Sequence, residues 1–244
     1  MAIDQGRRNL LCNSMRAGVA VAFPSLFSED ALARDVQQSG TQEPEVTATE
    51  DLMREHGVIR RALLVYAETA PKLRHNAASV DAASIRQTAQ LFRTFGEDYH
   101  EKMLEEQHIF PRIRKMGKPA LTRYVDTLIA QHERGREITD YILAVSNAFR
   151  IGTGNAEPLA RVFESFYLIY ANHAAREDTI IFPAWKTNFT NKQLDEVSDQ
   201  FEEIEHRMFG KDGFEDAEQK ISGIEATMGF SDLAQFTPPP PPKA

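Results

Sequence analysis

Four histidines lie in helix-like stretches of the chain, two of them upstream of paired acids. They are His56 in DLMREHGVIRRALL, His100 in EDYHEKMLEEQHIFPRI, His132 in LIAQHERGREITDYI and His173 in YANHAAREDTIIFPAW. Imidazole nitrogens and carboxylate oxygens converging inside a helix bundle are the donor set that a pair of iron ions takes. A lone histidine on an apolar helix face is ordinarily a hydrogen-bonded core residue. Four of them, one per expected helix and two followed by acidic-acidic-x-x-I-F-P, point to metal.

Spacing narrows the donors. Residues four apart on a helix share a side, so His173 and Glu177 address one point, and Asp178, the next residue round, is placed to offer a bridging oxygen. His100 and Glu105 are five apart, which separates them by about 140° on a regular α-helix. Two arrangements meet this spacing. A π-bulge, a distortion frequent at functional sites, brings Glu105 back under His100. Otherwise Glu101 acts instead, and Glu101, Glu105 and His108, which share a face, form a Glu-x-x-His set. The bulge is preferred because it aligns the I-F-P tail of the second helix with that of the fourth. His75, in RHNAAS, and His206, in EEIEHRMF, are expected at the surface. Phe95, Tyr99, Phe166 and Tyr170 read as core, with Tyr66 and Tyr99 near the level of the histidines.

The elements that must carry these residues follow from a 3.6-residue apolar period that begins at Thr49. Leu52, His56, Ile59, Leu63 and Tyr66 form one face of a first helix, expected to end near Pro71. A second helix is expected over 81–115, with Ile85, Leu91, Phe92, Phe95 and Tyr99 inward. A third starts at Pro119, a favoured first-turn residue, and runs to Arg150. The fourth starts near Glu157 and carries Phe163, Phe166, Tyr170 and His173. Short Gly- and Pro-marked connections make this an all-α, up-down-up-down four-helix bundle. Two further charged helices, 191–207 and 216–228, are joined by GKDG and are expected on its outside. The helices pair as a bare-His helix followed by a His-plus-acid helix, and then the same again.

Composition bounds the rest. A net charge of −8 argues against nucleic acid or an anionic membrane as the main partner. The single cysteine, Cys12, excludes an intramolecular disulfide framework and a Cys-rich metal site. No run approaches the ~20 apolar residues of a membrane span. Residues 1–33, with Arg7-Arg8, the run AGVAVAF and Ala31-Leu32-Ala33, resemble a twin-arginine export signal. A cleaved signal implies a periplasmic or exported protein, and its absence a cytoplasmic one. Residues 34–48 read as a linker, 49–188 as the bundle, 189–230 as the added helices, and 231–244 as a Pro-rich tail with five consecutive prolines. Such a tail is suited to an aromatic-lined partner groove.

The segments REHGVIRRALL, EDYHEKMLEEQHIFPR, QHERGR and HAAREDTIIFPA, within residues 49–188, resemble the hemerythrin family, and more narrowly the bacterial HHE cation-binding domains. The resemblance implies a four-helix bundle holding two non-haem irons, oxo- or hydroxo-bridged. It makes His56, His100, His132 and His173 terminal nitrogen ligands and Glu105 and Glu177 bridging carboxylates. Oxygen-carrying members place a second histidine four residues after the first on helix three, where this chain has Arg136. A centre poorer in nitrogen and richer in carboxylate favours the ferric state. The expected function is therefore binding of dioxygen, nitric oxide or peroxide for sensing, scavenging or iron handling, rather than reversible oxygen transport. A di-iron oxidase or peroxide-consuming enzyme is the competing reading, and a metal-free helical scaffold the second.

Overall fold

The computed structural model describes residues 46–242, so the twin-arginine segment and residues 34–45 of the linker lie outside the described residues. Helix α1, Ala48–Asn76, opens on a capping box: the Thr47 side chain accepts the Glu50 N–H, and the Glu50 carboxylate accepts the Thr47 N–H at 2.8 Å. It continues through Pro71, where the sequence suggests a stop. The missing N–H loses one helical bond. Buried Ala70 and Leu73, and the pairing of Arg74 with Glu157 at 2.7 Å and Glu164 at 2.5 Å, hold the last turn in place.

Helix α2 spans 82–115, capped by Asp81, and has three consecutive windings: α over Ala82–Leu91, π over Phe92–Ile109, and α again over Phe110–Lys115. Gly117 (φ +65°) turns the chain into α3, Pro119–Val145. This helix ends at Val145, before the expected Arg150, with the Ser146 N–H and hydroxyl both returning to the Ile142 carbonyl, at 2.9 and 2.7 Å. Helix α4 covers 153–186 as Thr153–Arg176, a π turn at Glu177–Ile181, and Phe182–Lys186.

Each of the four helices packs on the next, and α1 lies against α4, which closes the bundle. Below the histidines an aromatic layer fills the interior. Tyr66 stacks on Phe163 with centroids 4.6 Å apart, and Phe92 meets Phe166 at 4.8 Å, all four buried. Two added helices, α5 (Asn191–Phe209) and α6 (Gly213–Met228), lie on the α1/α2 side and extend this core. Phe201 stacks on Trp185 at 5.9 Å, Phe209 packs edge-on to Tyr99 at 5.4 Å, and Arg61 of α1 reaches Glu218 at 2.9 Å and Glu225 at 2.5 Å on α6. Pro238–Pro242 are exposed. Among the described residues no helix is long and apolar enough to cross a membrane.

Because Phe201 is buried at the seam between α5 and the bundle, Phe201→Ala is expected to lower unfolding stability by about 3–5 kcal/mol. Urea unfolding should show the midpoint falling, while helical content in the absence of denaturant is retained.

Candidate metal centre

The four histidines arrive at one level of the bundle, one from each helix, each at most 3% exposed. Their Nε2 atoms face inward around two carboxylates, Glu105 and Glu177, both fully buried. Glu105 lies between two imidazoles, with Oε1 3.5 Å from His100 Nε2 and Oε2 3.3 Å from His132 Nε2. Glu177 does the same for the other pair, with Oε2 3.5 Å from His56 Nε2 and Oε1 3.0 Å from His173 Nε2. Two positions result. One is flanked by His56, His100 and an oxygen of each glutamate; the other by His132, His173 and the remaining two oxygens.

The π winding of α2 is what places Glu105 here. With i→i−5 bonding, one turn carries His100 round to Glu105, as the bulge arrangement requires. The repeated I-F-P tail marks where that winding ends. In both helices the phenylalanine N–H bonds the carbonyl of the inward glutamate five residues back: Phe110 to Glu105, and Phe182 to Glu177. Pro111 and Pro183 follow directly. A proline there offers no N–H and its ring crowds the carbonyl four residues earlier, which favours the wider turn.

Behind each imidazole stands an acceptor that holds Nδ1–H and turns Nε2 toward the centre, where the Nε2 atoms of His132 and His173 lie 3.1 Å apart. His56 donates to Asp178 at 2.7 Å and His132 to Glu106 at 2.9 Å, so the second acid of each repeat orients the histidine of a neighbouring helix. His100 donates to Glu55 at 2.6 Å and His173 to the Gln131 carbonyl at 2.9 Å. Glu55 and Gln131 are the residues just before His56 and His132. Four residues after those histidines, Arg60 pairs with Asp178 and Arg136 with Glu106. Phe182 and Phe110 stack on His56 and His132 at 5.4 and 5.6 Å. The twofold pattern thus extends from the histidines through their supports.

Three residues weighed as further donors have other partners close by, and Glu101 also forms a further group of donor atoms with Glu106 and His132. Asp178 is turned to Nδ1 of His56 and to Arg60. Glu101 accepts the Tyr170 hydroxyl at 2.6 Å and lies 3.4 Å from Arg136; burial pushes its carboxyl up to about 7. His108 is half-buried against the Phe201 ring, and burial lowers its pKa. His75 and His206 are exposed. Tyr170, read from the sequence as core alone, also stacks on His173 at 5.2 Å, and its hydroxyl occupies the space where Gly135 has no Cβ.

The centre satisfies a test for a bound cation. All four oxygens of Glu105 and Glu177, and Nε2 of His100, are buried and make no hydrogen bond among the described residues. Buried ionised carboxylates in that state carry a desolvation cost of several kcal/mol each unless a counter-charge meets them. Protons on the imidazoles supply part of it. Burial opposes charge on His100 and His132, yet the surrounding carboxylates outweigh it and hold both imidazoles well above their ordinary range. His56 is likewise raised against burial by Asp178 and Glu177. In return Glu177 is held below the usual carboxylate range by His173 and His56 despite burial, and Glu105, despite burial and the repulsion of Glu177, by His100 and His132. Groups of histidine and glutamate at Glu105–His132–His173–Glu177, His56–His100–Glu105 and Glu101–Glu106–His132 have donor atoms close enough for a shared ion.

The hemerythrin HHE cation-binding domain matches residues 47–185. The chain belongs to that family. This hemerythrin-like chain is also 39% identical over 236 residues to uncharacterised proteins of Mycobacterium tuberculosis and Mycobacterium bovis, covering 96% of its own length and 91% of theirs. No solved structure matches it. Family and buried cluster together make this hemerythrin-like bundle a binder of metal cations.

Two outcomes follow. A cation must displace the protons that the raised imidazoles hold, so its affinity should increase as pH rises between ~6 and ~8, with protons released on binding. Metal titration in weak buffer with a pH indicator reads this directly; uptake without proton release would contradict the charge arrangement. Gly135→Ala should cost about 1–3 kcal/mol through overpacking against Tyr170, measured as a lowered unfolding midpoint.

Proposed function

We propose that this centre holds two non-haem iron ions, bridged by Glu105 and Glu177 and terminated by His56, His100, His132 and His173. In this reading it binds dioxygen, nitric oxide or peroxide, in the service of sensing, scavenging or iron handling. The observation that carries the proposal is the set of four carboxylate oxygens, buried and without hydrogen bonds, each facing a different imidazole nitrogen. A metal-free scaffold would have no use for that arrangement, because apolar residues of the same volume would pack there without the desolvation cost.

Two nitrogens and two oxygens per position fall short of six donors, which leaves coordination sites open, as in non-haem iron centres that meet small molecules. Bound iron supplies the redox change and the affinity for such molecules. The chain's own residues do the remainder. Asp178, Glu55, Glu106 and Gln131 fix the tautomers and ring planes of the ligands. Phe110 and Phe182 close the imidazoles off from water. Arg136 stands where an oxygen carrier has a further histidine, and its guanidinium is committed to Glu106 at 2.6 Å and Glu101 at 3.4 Å. It provides charge balance at that place rather than a nitrogen donor.

Metal analysis with an optical spectrum, on protein expressed in iron-replete medium and purified in air, tests the reading. About two irons per chain with near-ultraviolet oxo-to-ferric bands, altered by azide, peroxide or nitric oxide, are the expected result. Single Glu101→Ala and Glu106→Ala variants should retain both irons, and Glu105→Ala should lose at least one. A colourless chain that takes up no ferrous iron anaerobically would remove the proposal.

A further inference from the structure

The supports behind the imidazoles are related in pairs by the internal repeat, and one pair is chemically unequal. Asp178 and Glu106, behind His56 and His132, are both carboxylates and each is neutralised by an arginine, Arg60 or Arg136. Glu55 and Gln131, behind His100 and His173, differ: one is an acid side chain and the other an amide. Glu55 is itself 1% exposed and also accepts the Tyr99 hydroxyl at 3.1 Å, so it is held in place against His100. An imidazole backed by a carboxylate is a more basic donor than one backed by an amide, and changes in such supports commonly alter metal affinity by ~10–100-fold.

Access is unequal in the same sense. His173 and Gln131 line a surface cavity of about 280 Å³ between α3 and α4, with Tyr124, Asn172 and Arg176. On the opposite side, Tyr99 and Glu55 lie where α5 covers the α1/α2 seam, with the Phe209 ring against Tyr99. Glu101 brings an acid near His132, its Oε2 3.9 Å from Nδ1, but it accepts from Tyr170 and pairs with Arg136. It therefore does not stand in for the missing carboxylate behind His173.

Resting on the two-ion reading above, we propose that the two positions are inequivalent: the His56/His100 position retains its ion, and the His132/His173 position exchanges it through the α3/α4 cavity. Glu55 and Gln131 act as positioning residues that set the difference. The ion nearer the cavity is the one that chelators remove, and the one through which the centre responds to the metal supply around it.

The test uses the metal-free full chain and cobalt(II) as a redox-stable probe, followed by calorimetry and visible absorption. Two binding steps separated by ~10–100-fold in affinity are expected, and at one equivalent the anomalous cobalt signal in a crystal should lie between His56 and His100. Gln131→Glu, which keeps shape and hydrogen bond, should tighten the weaker step by ~10-fold and narrow the gap. Glu55→Gln should weaken the stronger step instead. If Glu55→Gln fails to fold by circular dichroism, the Gln131→Glu result alone decides. Two equal steps, a first ion at His132/His173, or affinities untouched by Gln131→Glu would overturn the inequivalence while leaving the two-ion centre standing. Failure to bind any cobalt would overturn the centre itself.

Discussion

Two buried carboxylates that make no hydrogen bond among the described residues, Glu105 and Glu177, sit at the middle of the bundle, and the rest of the molecule is arranged around that fact. Leaving an ionised carboxylate in such a place is among the more costly things a protein core can do. The compensation has to come from positive charge at short range, and no single helix can supply it. Four helices each deliver one imidazole at the same height, from positions 56, 100, 132 and 173. The aromatic layer of Tyr66, Phe92, Phe163 and Phe166 below them fixes helix separation, and the phenylalanines of the I-F-P tails fix the rings from the side. Packing here determines the distance between charges as much as it contributes apolar burial.

The twofold character of the site has a local origin. Each His-plus-acid helix is widened at its inward glutamate and returned to α geometry next to a proline, so two copies of one short motif produce two equivalent carboxylate placements. Each bare-His helix repeats a four-part unit: an acceptor, the histidine, a spacer and an arginine, as Glu55-His56…Arg60 and Gln131-His132…Arg136. These units interlock rather than act alone. Asp178 of α4 orients His56 of α1, and Glu106 of α2 orients His132 of α3.

Much of this was legible in the sequence because it is local. The four helices, the histidine on each, the inward turn of His173 with Glu177, and the widened turn needed to bring Glu105 under His100 all follow from spacing along one helix. What escaped was contact between helices. Glu55 lies one residue from His56, about 100° round the helix, and so reads as off the face; it works by reaching His100 on α2. Asp178 looked like a donor to the centre from its own helix, yet it is met by two groups of α1, the His56 ring and the Arg60 guanidinium. Tyr170 matched a core pattern, and its polar role depends on the gap left by Gly135 on α3. Pro71 read as a terminator because local bonding was all the sequence offered, whereas Ala70 and Leu73 on either side of it are buried in the bundle and Arg74 pairs with two glutamates of α4.

The distribution of the six inward groups among the helices also determines how the molecule comes apart. Each position draws on three of the four helices, and both glutamates serve both positions, so on the proposed two-ion reading withdrawing any one of the four would strip a donor from at least one ion. An ion held there would couple the three helices that supply it, and fraying of any of those would be opposed by that ion's binding free energy. Helices α5 and α6 contribute no donor. They are held by packing and ion pairs instead, among them Phe201, Phe209, buried Ile221 and Ile224, and the Arg61 pairs. On that reading a bound metal would stiffen the body of the molecule and leave its flank to packing and ion pairs.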